Sequence, residues 1–350
     1  MDDRTTDHET PERDVLLLRR AVGLATRGPA VDPNPRVGCV LVAADGEVIG
    51  EGWHRGAGTP HAETAALADA LAAGHETRGA TAYVSLEPCN HTGRTGPCAE
   101  ALVEARVARV VYAAADPSPL AAGGADTLRA AGIATDLVPV AEATGLNPWF
   151  DHAARTGRPF VTWKLAATLD GRSAAADGTS RWITGPAARE DVHRLRATAG
   201  AVVVGTGTAL ADDPHLTVRH DGVLAEQQPL RVVVGSRELP RTARVLDDAA
   251  PTLLLPHQDP AQTLAELHAR GIRHVWLEGG PALGSAWLAA GLVDRVIAYV
   301  APVLLGAGSP AVADLGVTTM AEAVHLTTTD VTVLDGDVRI TMTPNPIGGC

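Results

Sequence analysis

The sequence predicts an α/β protein made of two domains. Stretches typical of strands alternate with stretches typical of helices along most of the chain. Its 350 residues correspond to two domains, since a domain usually has about 100–200 residues. The strand pattern is interrupted between residues 141 and 159. We therefore expect a first domain over residues 1–146, a linker over 147–158 and a second domain over 159–350.

The first half opens with a helix and a hairpin. Apolar residues at helical spacing predict a helix over 12–27, which ends near Gly28-Pro29. Apolar runs over 37–43 and 48–53 flank Asp45-Gly46, a pair that favours the tight turn of a β-hairpin. The other expected elements are a helix over 61–73, a strand over 80–86, a helix from Cys98, a strand over 109–114, a helix over 125–131 and a strand over 133–138.

The alternation resumes after residue 159, which predicts a second mixed sheet covered by helices. Strands are expected over 160–166, 201–205, 230–234, 252–255, 274–277, 293–301 and 338–343, with helices over 186–199, 261–270 and 282–290. No repeat of fixed period is present, which excludes solenoids and propellers.

Charge and composition limit the partners. The chain has 29 basic and 41 acidic residues, a net charge of -12, so its surface repels the phosphates of nucleic acids and anionic membranes. No apolar run approaches the ~20 residues of a membrane span, and the opening MDDRTTDHETPERD is acidic where a targeting peptide is basic. We expect a cytoplasmic homo-oligomer that acts on a small molecule, with no nucleic acid and no membrane as partner.

Histidine and cysteine residues of the first half predict a zinc site. Four cysteines in the whole chain are too few for a disulfide framework, which favours metal or catalytic roles. His61, Cys89 and Cys98 each stand beside the end of a predicted strand or the start of a predicted helix. They supply the three nitrogen and sulfur ligands of a catalytic zinc, which leaves its fourth position open. Glu63 follows His61 by two residues and suits a proton shuttle.

Each of these residues, taken singly, has an ordinary structural explanation. His61 could begin a helix, Glu63 could be a solvated acid and the cysteines could fill the core. The combination favours a metal site. A purely structural zinc would need a fourth ligand, which Cys39, His54 or His91 could provide.

Longer motifs around these residues resemble a known family. HAE (61–63), LEPCNHTGRTGPC, the upstream DPNPRVGCVLV and GWH (52–54) are similar to the deaminase half of the bifunctional deaminase/reductases of riboflavin biosynthesis. Eight residues separate Cys89 from Cys98, whereas zinc nucleobase deaminases in general have two at this point. The resemblance implies a cytidine-deaminase-like α/β/α domain in which zinc activates water and Glu63 transfers its proton to the leaving amine.

The resemblance also implies the first substrate and its contacts. The substrate would be 2,5-diamino-6-(5-phosphoribosylamino)pyrimidin-4(3H)-one, deaminated by water. Asn34 matches a substrate contact of the family, His54 follows the second strand, and Arg94 suits the ribose phosphate. Asn34 as a turn former and Arg94 as a solvated charge remain open alternatives.

The second half has its own candidate residues. Lys164 is the only lysine among the 29 basic residues, which suggests a position where the fork of arginine does not serve. An accident of composition remains an open alternative. No G-x-G-x-x-G follows a strand, so a Rossmann site is not supported. Glu278-Gly279-Gly280-Pro281, between a strand and a helix, could receive a phosphate or form a tight turn.

The wider pattern of this half resembles the reductase of the same bifunctional family. The motifs that carry this resemblance are WKLAATLDG (163–171), TSRWITG (179–185), ALADDPHLTVR (209–219), LEGGPALGSAWL (277–288) and APVLLG (301–306). The resemblance implies a dihydrofolate-reductase-like α/β domain that uses NADPH to reduce the opened ribose to a ribityl chain. Thr168 replaces the usual serine of the family and keeps its hydroxyl.

Site residues follow from this resemblance position by position. The implied cofactor contacts are Ala166, Trp182, Thr208, Asp212, Ser236, Gly280, Pro281, Ala282, Leu283, Gly284, Ser285 and Ala286. The implied substrate contacts are Ser180, Arg196, Leu216, Arg219 and Glu278. The two arginines suit a bidentate grip on the substrate phosphate, and Ser236-Arg237 suits the 2′-phosphate of NADPH. Lys164 is the expected catalytic residue, a proton donor during ring opening with Glu278 as its partner.

Two alternatives differ in observable ways. A single-activity nucleobase or nucleoside deaminase with a non-catalytic second binding domain would deaminate without oxidising NADPH. A non-enzymatic scaffold stabilised by zinc would show four protein ligands and no zinc-bound water. Matching motifs in both halves favour the bifunctional enzyme.

Overall fold

The two halves of the chain form separate compact units. A computed structural model describes residues 9–91 and 96–345, and the chain divides between Gly157 and Arg158. The helices of the first unit are α1 (Glu9–Ala25), α2 (Ala62–Ala72), α3 (Cys98–Glu104), α4 (Gly124–Ala130), α5 (Ala141–Thr144) and α6 (Pro148–Thr156). Its strands are β1 (Gly38–Val42), β2 (Val48–Trp53), β3 (Thr81–Val84), β4 (Arg109–Tyr112) and β5 (Ala134–Leu137).

A five-stranded sheet forms the centre of the first unit, in the order β2-β1-β3-β4-β5. The hairpin strands β1 and β2 are antiparallel, as Asp45-Gly46 predicts, and β3, β4 and β5 run parallel. Residues of β1 alternate between the two faces of the sheet: Cys39 and Leu41 pack in the core that contains α2 to α4, and Val40 and Val42 pack with α1. The α/β/α sandwich predicted for this half is confirmed.

Glycine allows α2 to lie close to the sheet. A Cβ on Gly52 would come within 2.4 Å of the Ala62 carbonyl oxygen and the Ala66 nitrogen, and one on Gly50 within 2.5 Å of the Ala66 carbonyl oxygen. Side chains at these positions of β2 would push the helix away. The close approach fixes the start of α2, where His61 is the residue before the first turn.

Residues 147–158, the expected linker, are mostly helical. Pro148 begins α6, which ends at Gly157 in the left-handed conformation, with φ of 72°. Proline suits the first turn of a helix and glycine suits the residue after its end. Residues 147–157 belong to the first unit, and Arg158 begins the second.

The second unit contains four helices and twelve strands among its described residues. Its helices are α7 (Pro186–Arg196), α8 (Thr206–Asp212), α9 (Pro260–Ala269) and α10 (Pro281–Ala289). Its strands are β6 (Phe160–Thr168), β7 (Arg172–Ala174), β8 (Ala201–Gly205), β9 (Arg219–His220), β10 (Val223–Leu224), β11 (Leu230–Val234), β12 (Thr252–Leu255), β13 (His274–Leu277), β14 (Arg295–Ala301), β15 (Ser309–Pro310), β16 (Leu326–Leu334) and β17 (Asp337–Pro344).

An eight-stranded sheet organises the second unit, in the order β12-β11-β8-β13-β6-β14-β17-β16. The strands from β12 to β14 are parallel, and β17 runs antiparallel to both of its neighbours, β14 and β16. The carboxyl ends of β11, β8, β13 and β6 therefore share one edge, where ligands of open α/β sheets bind. The dihydrofolate-reductase-like α/β class predicted for this half is confirmed.

Packing against the sheet fixes the direction of α10. A Cβ on Gly284 would lie 2.1 Å from the indole of Trp163, so only glycine lets the helix cross that buried ring. Trp163 and Trp287 are fully buried in the same core. The N-terminus of α10 is thereby held at the carboxyl edge, directly after β13.

Several elements lie outside the sequence prediction. The prediction missed β16 and the short α8, and it also missed the small strands β7, β9, β10 and β15. The β16 residues pair with β17 through a two-residue turn, Asp335-Gly336, in which both φ angles are positive (51° and 98°). Aspartate and glycine tolerate this conformation, and it matches the twist of the strands.

Candidate active sites

The three predicted zinc ligands converge in the first unit. His61 stands at the start of α2, Cys89 follows β3, and Cys98 is the first residue of α3. The Nδ1 atom of His61 lies 3.5 Å from the Cys89 sulfur and 3.3 Å from the Cys98 sulfur. All three ligand atoms lie within 4.8 Å of one another.

The donor set and its spacing fit zinc. Tetrahedral bonds of about 2.3 Å to sulfur and 2.0–2.1 Å to nitrogen place those atoms about 3.5 Å apart. Within residues 9–91 and 96–345, no other group of three or more His, Cys, Asp or Glu side chains is close enough to hold a metal. Cys39 and His54 do not join the ligand group. Three protein ligands are typical of catalytic sites, which leave one position for water or substrate.

The two ligand thiols differ in how readily they lose a proton. A hydrogen bond from Cys98 lowers the pKa of Cys89, and the same bond raises the pKa of Cys98. The Cys98 backbone N–H also donates to the Cys89 sulfur over 3.4 Å. Cys89 is therefore the first of the pair to become a thiolate, the form that binds metal.

Glu63 lies beside the ligands and is almost completely buried, with 3% of its surface exposed. It belongs to the first turn of α2, and its carboxylate is hydrogen-bonded to Cys98. Burial, together with the negative charge of Cys89, raises its pKa to about 7. A divalent cation between the three ligands would lower that value again, because it favours the carboxylate.

Asn34 and His54 lie next to the metal cluster. The His54 ring is 5.3 Å from the His61 ring, and its Nε2 is 3.2 Å from the amide nitrogen of Asn34. Its Nδ1 lies 3.2 Å from the carbonyl oxygen of Pro60, which can only accept, so Nδ1 carries the hydrogen of the neutral ring. Nε2 then accepts from Asn34, and the Asn34 Oδ1 remains as an acceptor for a ligand. Arg94 lies outside the described residues.

Lys164, Glu278 and Arg196 meet in the second unit. Arg196 donates from Nε and from a terminal nitrogen to the two carboxylate oxygens of Glu278, over 2.7 and 2.9 Å. Lys164 lies within electrostatic reach of both residues and of Asp212. Burial lowers the pKa of Lys164. Burial alone would raise the pKa of Glu278, but the charges of Arg196 and Lys164 outweigh it and hold that pKa below its ordinary value.

The remaining bond of Arg196 also points into the protein. Its third nitrogen donates to the Thr217 carbonyl oxygen over 2.6 Å, and only 8% of the residue is exposed. Its guanidinium thus grips Glu278 and a backbone carbonyl rather than standing open to a phosphate. Arg219 is more exposed, and it contacts Thr217 and Gly222 only through long bonds of 3.4 and 3.3 Å.

Most of the predicted cofactor residues lie at the carboxyl edge of the second sheet. Ala166 is on β6, Thr208 and Asp212 are on α8, and Ser236 follows β11. Residues 280–286 form the start of α10, and Gly280 donates its N–H to the Thr208 hydroxyl over 3.1 Å. This bond ties the starts of α8 and α10 together. The N-terminus of α10 follows Gly279-Gly280, and a helix N-terminus is a position where a phosphate is favoured.

The end of β11 carries positive charge beside α8. A Cβ on Gly207 would come within 2.7 Å of the Arg237 guanidinium, so this cation lies at the first turn of the helix. The N-terminus of a helix already favours an anion. Ser236 is adjacent in the chain, so a hydroxyl and a guanidinium follow β11 in succession, and both are donors that suit a phosphate group.

Three other predicted residues lie around this edge. Trp182 is 69% exposed, with the Arg189 guanidinium 4.5 Å from its ring, and Ser180 precedes it. Leu216 is buried with a φ of 56°. The structure brings neither Ser180 nor Trp182 into a hydrogen bond with Lys164, Glu278 or Arg196 among the described contacts.

Sequence reasoning missed two residues that orient these groups. The Trp276 indole N–H donates to Glu278 over 2.5 Å. His193 Nδ1 accepts the backbone N–H of Arg219 over 3.2 Å. The sequence does indicate that Trp276 could contact Glu278, because residues two apart lie on the same face of a strand. No sequence pattern connects His193 to Arg219.

Asp170 joins two motifs that the sequence treats separately. Its carboxylate accepts the Thr168 hydroxyl at 2.6 Å and the backbone N–H groups of Leu305 and Gly306 at 3.2 and 2.7 Å. These bonds lower the pKa of Asp170 to about 2. The LDG turn after β6 is thereby fastened to the APVLLG loop after β14.

No helix in the described part of the chain has the length and apolar character needed to cross a membrane.

Comparison with family models covers both units. Residues 11–114 match the cytidine and deoxycytidylate deaminase zinc-binding region, and residues 159–340 match the RibD C-terminal domain. The two matches together span both candidate sites.

Individual relatives are similar over most of their length. The riboflavin biosynthesis protein RibD of Mycobacterium tuberculosis is 51% identical over 297 residues, which cover 84% of this chain and 86% of the relative. The structure of Acinetobacter baumannii RibD has a TM-score of 0.85 and 41% identity, and the match covers 96% of this chain and all of that one. A diaminohydroxyphosphoribosylaminopyrimidine deaminase/5-amino-6-(5-phosphoribosylamino)uracil reductase of Thermotoga maritima gives a TM-score of 0.82 and 31% identity, with the same coverage.

Proposed function

Because the chain belongs to the RibD family of bifunctional riboflavin biosynthesis enzymes, which unite a deaminase with a reductase, we propose the substrates and residue roles of its two reactions. The first unit hydrolyses the 2-amino group of 2,5-diamino-6-(5-phosphoribosylamino)pyrimidin-4(3H)-one, which releases ammonia. The second unit reduces the ribosyl chain of that product with NADPH and forms 5-amino-6-(5-phosphoribitylamino)uracil. The observation that carries the first step is the three-ligand cluster with Glu63 buried at its side.

In the deaminase, His61, Cys89 and Cys98 would hold zinc. Zinc in such a site supplies a water that loses its proton near neutral pH. The Glu63 carboxylate takes up a proton and returns it to the amino group that leaves, which its burial beside the ligands supports. Asn34 offers Oδ1 to an N–H group of the pyrimidine ring, and the hydrogen bond with His54 fixes the orientation of its amide.

Arg94 lies in the segment between the two cysteines, and we assign it to the ribose phosphate on its charge and position alone.

In the reductase, residues of the carboxyl edge would hold NADPH. Thr208, Asp212, Ser236 and the start of α10 bind the cofactor, and Arg237 with Ser236 takes its 2′-phosphate. NADPH supplies the hydride. Ala166 and Trp182 complete the cofactor contacts, with Ala166 on the strand that carries Lys164.

Lys164 is the proposed proton donor of the reductase. Burial weakens its hold on a proton, and Glu278 lies within electrostatic reach to keep the ammonium in place. Its Nζ donates a proton to the ribose ring oxygen as the ring opens. Arg219, Leu216 and Ser180 line the substrate, with Arg219 on the phosphate. Arg196 orients Glu278, which its two-bond grip supports.

Product analysis tests the assignment of both substrates. The zinc-loaded full chain is incubated with the diaminopyrimidine phosphoribosyl compound, with and without NADPH, and the products are identified by mass. We expect a product 1 Da heavier without NADPH, since an amino group is exchanged for oxygen, and a further gain of 2 Da with it. Deamination without any NADPH oxidation would favour a non-catalytic second domain instead. No change in mass would contradict the proposed substrate.

A further inference from the structure

Asn147 is hydrogen-bonded to a segment more than 100 residues earlier in the chain. Its Oδ1 accepts the Arg36 backbone N–H over 2.8 Å, and its Nδ2 donates to the Arg36 carbonyl oxygen over 2.9 Å. The Arg36 guanidinium returns a bond of 2.6 Å to the carbonyl oxygen of Leu146. Three hydrogen bonds therefore fasten the residue pair 146–147 to Arg36.

The position of Asn147 makes this use of its side chain informative. Asn147 precedes α6, where an asparagine side chain ordinarily accepts an N–H of the first helical turn. No such capping bond forms at α6, whose first residue is Pro148. The amide instead satisfies both backbone groups of Arg36. The Asn147 side chain therefore stabilises the segment around Arg36 and does not cap α6.

The segment that Asn147 holds contains Asn34. Pro33 and Pro35 have no backbone N–H, so these residues cannot form a strand ladder of the usual kind. Asp32 accepts the Asn34 backbone N–H and the Ala57 N–H, each over 2.9 Å. Beyond Arg36, the Val37 carbonyl oxygen accepts the His54 N–H over 3.0 Å.

We propose that Asn147 is a positioning residue of the deaminase, which acts through the Arg36 backbone to set the place of Asn34. Only Pro35 lies between Arg36 and Asn34 in the chain, and the Asn34 amide in turn contacts His54 beside the metal ligands. The inference rests on the proposed function of Asn34 as a contact to the pyrimidine. Loss of the Asn147 amide lets Asn34 move relative to the ligands, and the substrate binds less tightly.

A double-mutant cycle tests this inference in the zinc-loaded full chain. Asn147→Ala, Asn34→Ala and the double variant are assayed for deaminase KM and kcat with the diaminopyrimidine substrate. Asn147→Asp keeps the acceptor for the Arg36 N–H but loses the donor to its carbonyl. Thr77→Val is the matched control, because it removes one bond of 3.1 Å to Ala105 in the same unit. Zinc content, Tm and reductase rate on deaminated substrate are measured for every variant.

We expect Asn147→Ala to raise KM about tenfold with kcat within about threefold, since misplacement by ~1 Å of a binding group costs up to about 10²-fold. The rise should disappear in the Asn34→Ala background, and Asn147→Asp should give a smaller rise. Zinc content and reductase rate should equal those of the wild type.

Three results would overturn the inference. The first is an Asn147→Ala variant with unchanged KM while Asn34→Ala raises it, which would leave the proposed contact of Asn34 intact. The second is an equal effect in both backgrounds, or an equal rise in Thr77→Val, which would indicate a general loss of stability. The third is an unchanged KM in Asn34→Ala. This result would contradict the proposed contact of Asn34 with the substrate, and the positioning role of Asn147 would be wrong with it.

Discussion

The two active sites hold their residues by different means. In the first unit, three ligand atoms point at one position, and neutral partners such as the Pro60 carbonyl orient the neighbouring side chains. In the second unit, Lys164, Arg196 and Glu278 come from β6, α7 and the end of β13, and their charges act on one another. A bound metal ion can hold the side chains of the first site in place. In the second site, the interactions between the charged side chains do so. The comparison predicts that single substitutions damage the two sites in different ways.

The largest effect is expected for Cys98→Ser. Cys98 is 1% exposed, and its sulfur lies 3.3 Å from the nitrogen ligand of the cluster, His61 Nδ1. Removal of a soft thiolate ligand lowers zinc affinity sharply. We expect loss of zinc, measured by atomic absorption, and loss of measurable deaminase activity, while the reductase rate on deaminated substrate stays within about twofold.

Glu63→Gln is the control for that substitution. It should keep about one zinc per chain and still lose deaminase kcat by about 10²–10⁴-fold, the usual contribution of a general acid and base. Loss of zinc in this variant would show that Glu63 supports the ligands, and the proton role would then be wrong. Loss of the reductase in either variant would contradict two independently organised sites.

Lys164→Arg tests the proton donor of the second site. Arginine keeps the positive charge but holds its proton with a pKa above ~12, so it transfers the proton poorly. We expect reductase kcat to fall about 10²-fold, with NADPH binding and deaminase kcat unchanged. Steady-state kinetics of both reactions and a fluorescence titration with NADPH measure these quantities. A near-normal reductase rate would make the single lysine an accident of composition.

A smaller effect is expected for Arg196→Lys, and it distinguishes two uses of this arginine. Lysine cannot form the two parallel bonds to Glu278. If Arg196 orients Glu278, the reductase should fall about tenfold, and the loss should be absent when Glu278 is already glutamine. If Arg196 instead binds the substrate phosphate, the two losses should multiply. Reductase kcat/KM for the two single variants and the double variant decides between them.

Particular residues show how far sequence reasoning extends. Zinc prefers nitrogen and sulfur donors in a small number of combinations, so His61, Cys89 and Cys98, each beside the end of an element, can be recognised in the sequence. The partner of Arg196 cannot be recognised in this way, because arginine binds a carboxylate and a phosphate through the same pair of parallel hydrogen bonds. Asn147 lies 111 residues from Arg36, and no local pattern marks such a pair. The missed strand β16 did carry a signal, Asp335-Gly336, the same dipeptide type that predicted the β1–β2 hairpin.

The smallest expected effect concerns the other end of β13, where a buried histidine is hydrogen-bonded to uncharged groups and the charges of Asp294 and Arg295 act on it. His274 is 3% exposed; its Nδ1 donates to the Thr198 carbonyl oxygen over 3.0 Å, and its Nε2 accepts the Thr162 hydroxyl over 2.9 Å. Burial lowers the pKa of His274 from 6.5 to about 4. The folded state therefore binds this proton less readily than the unfolded state.

A depressed histidine pKa makes stability fall as the pH falls. The contribution of His274 is complete above about pH 6.5, decreases between pH 6.5 and about 4, and amounts to at most about 3 kcal/mol. His274→Asn keeps a donor for Thr198 but cannot take up the proton, so its unfolding free energy should depend less steeply on pH in that window. Urea unfolding of both proteins at pH 7.5, 6 and 5, followed by tryptophan fluorescence, measures the difference. Parallel pH profiles would mean that folding does not lower the pKa of His274, and the predicted loss of stability at low pH would then be wrong.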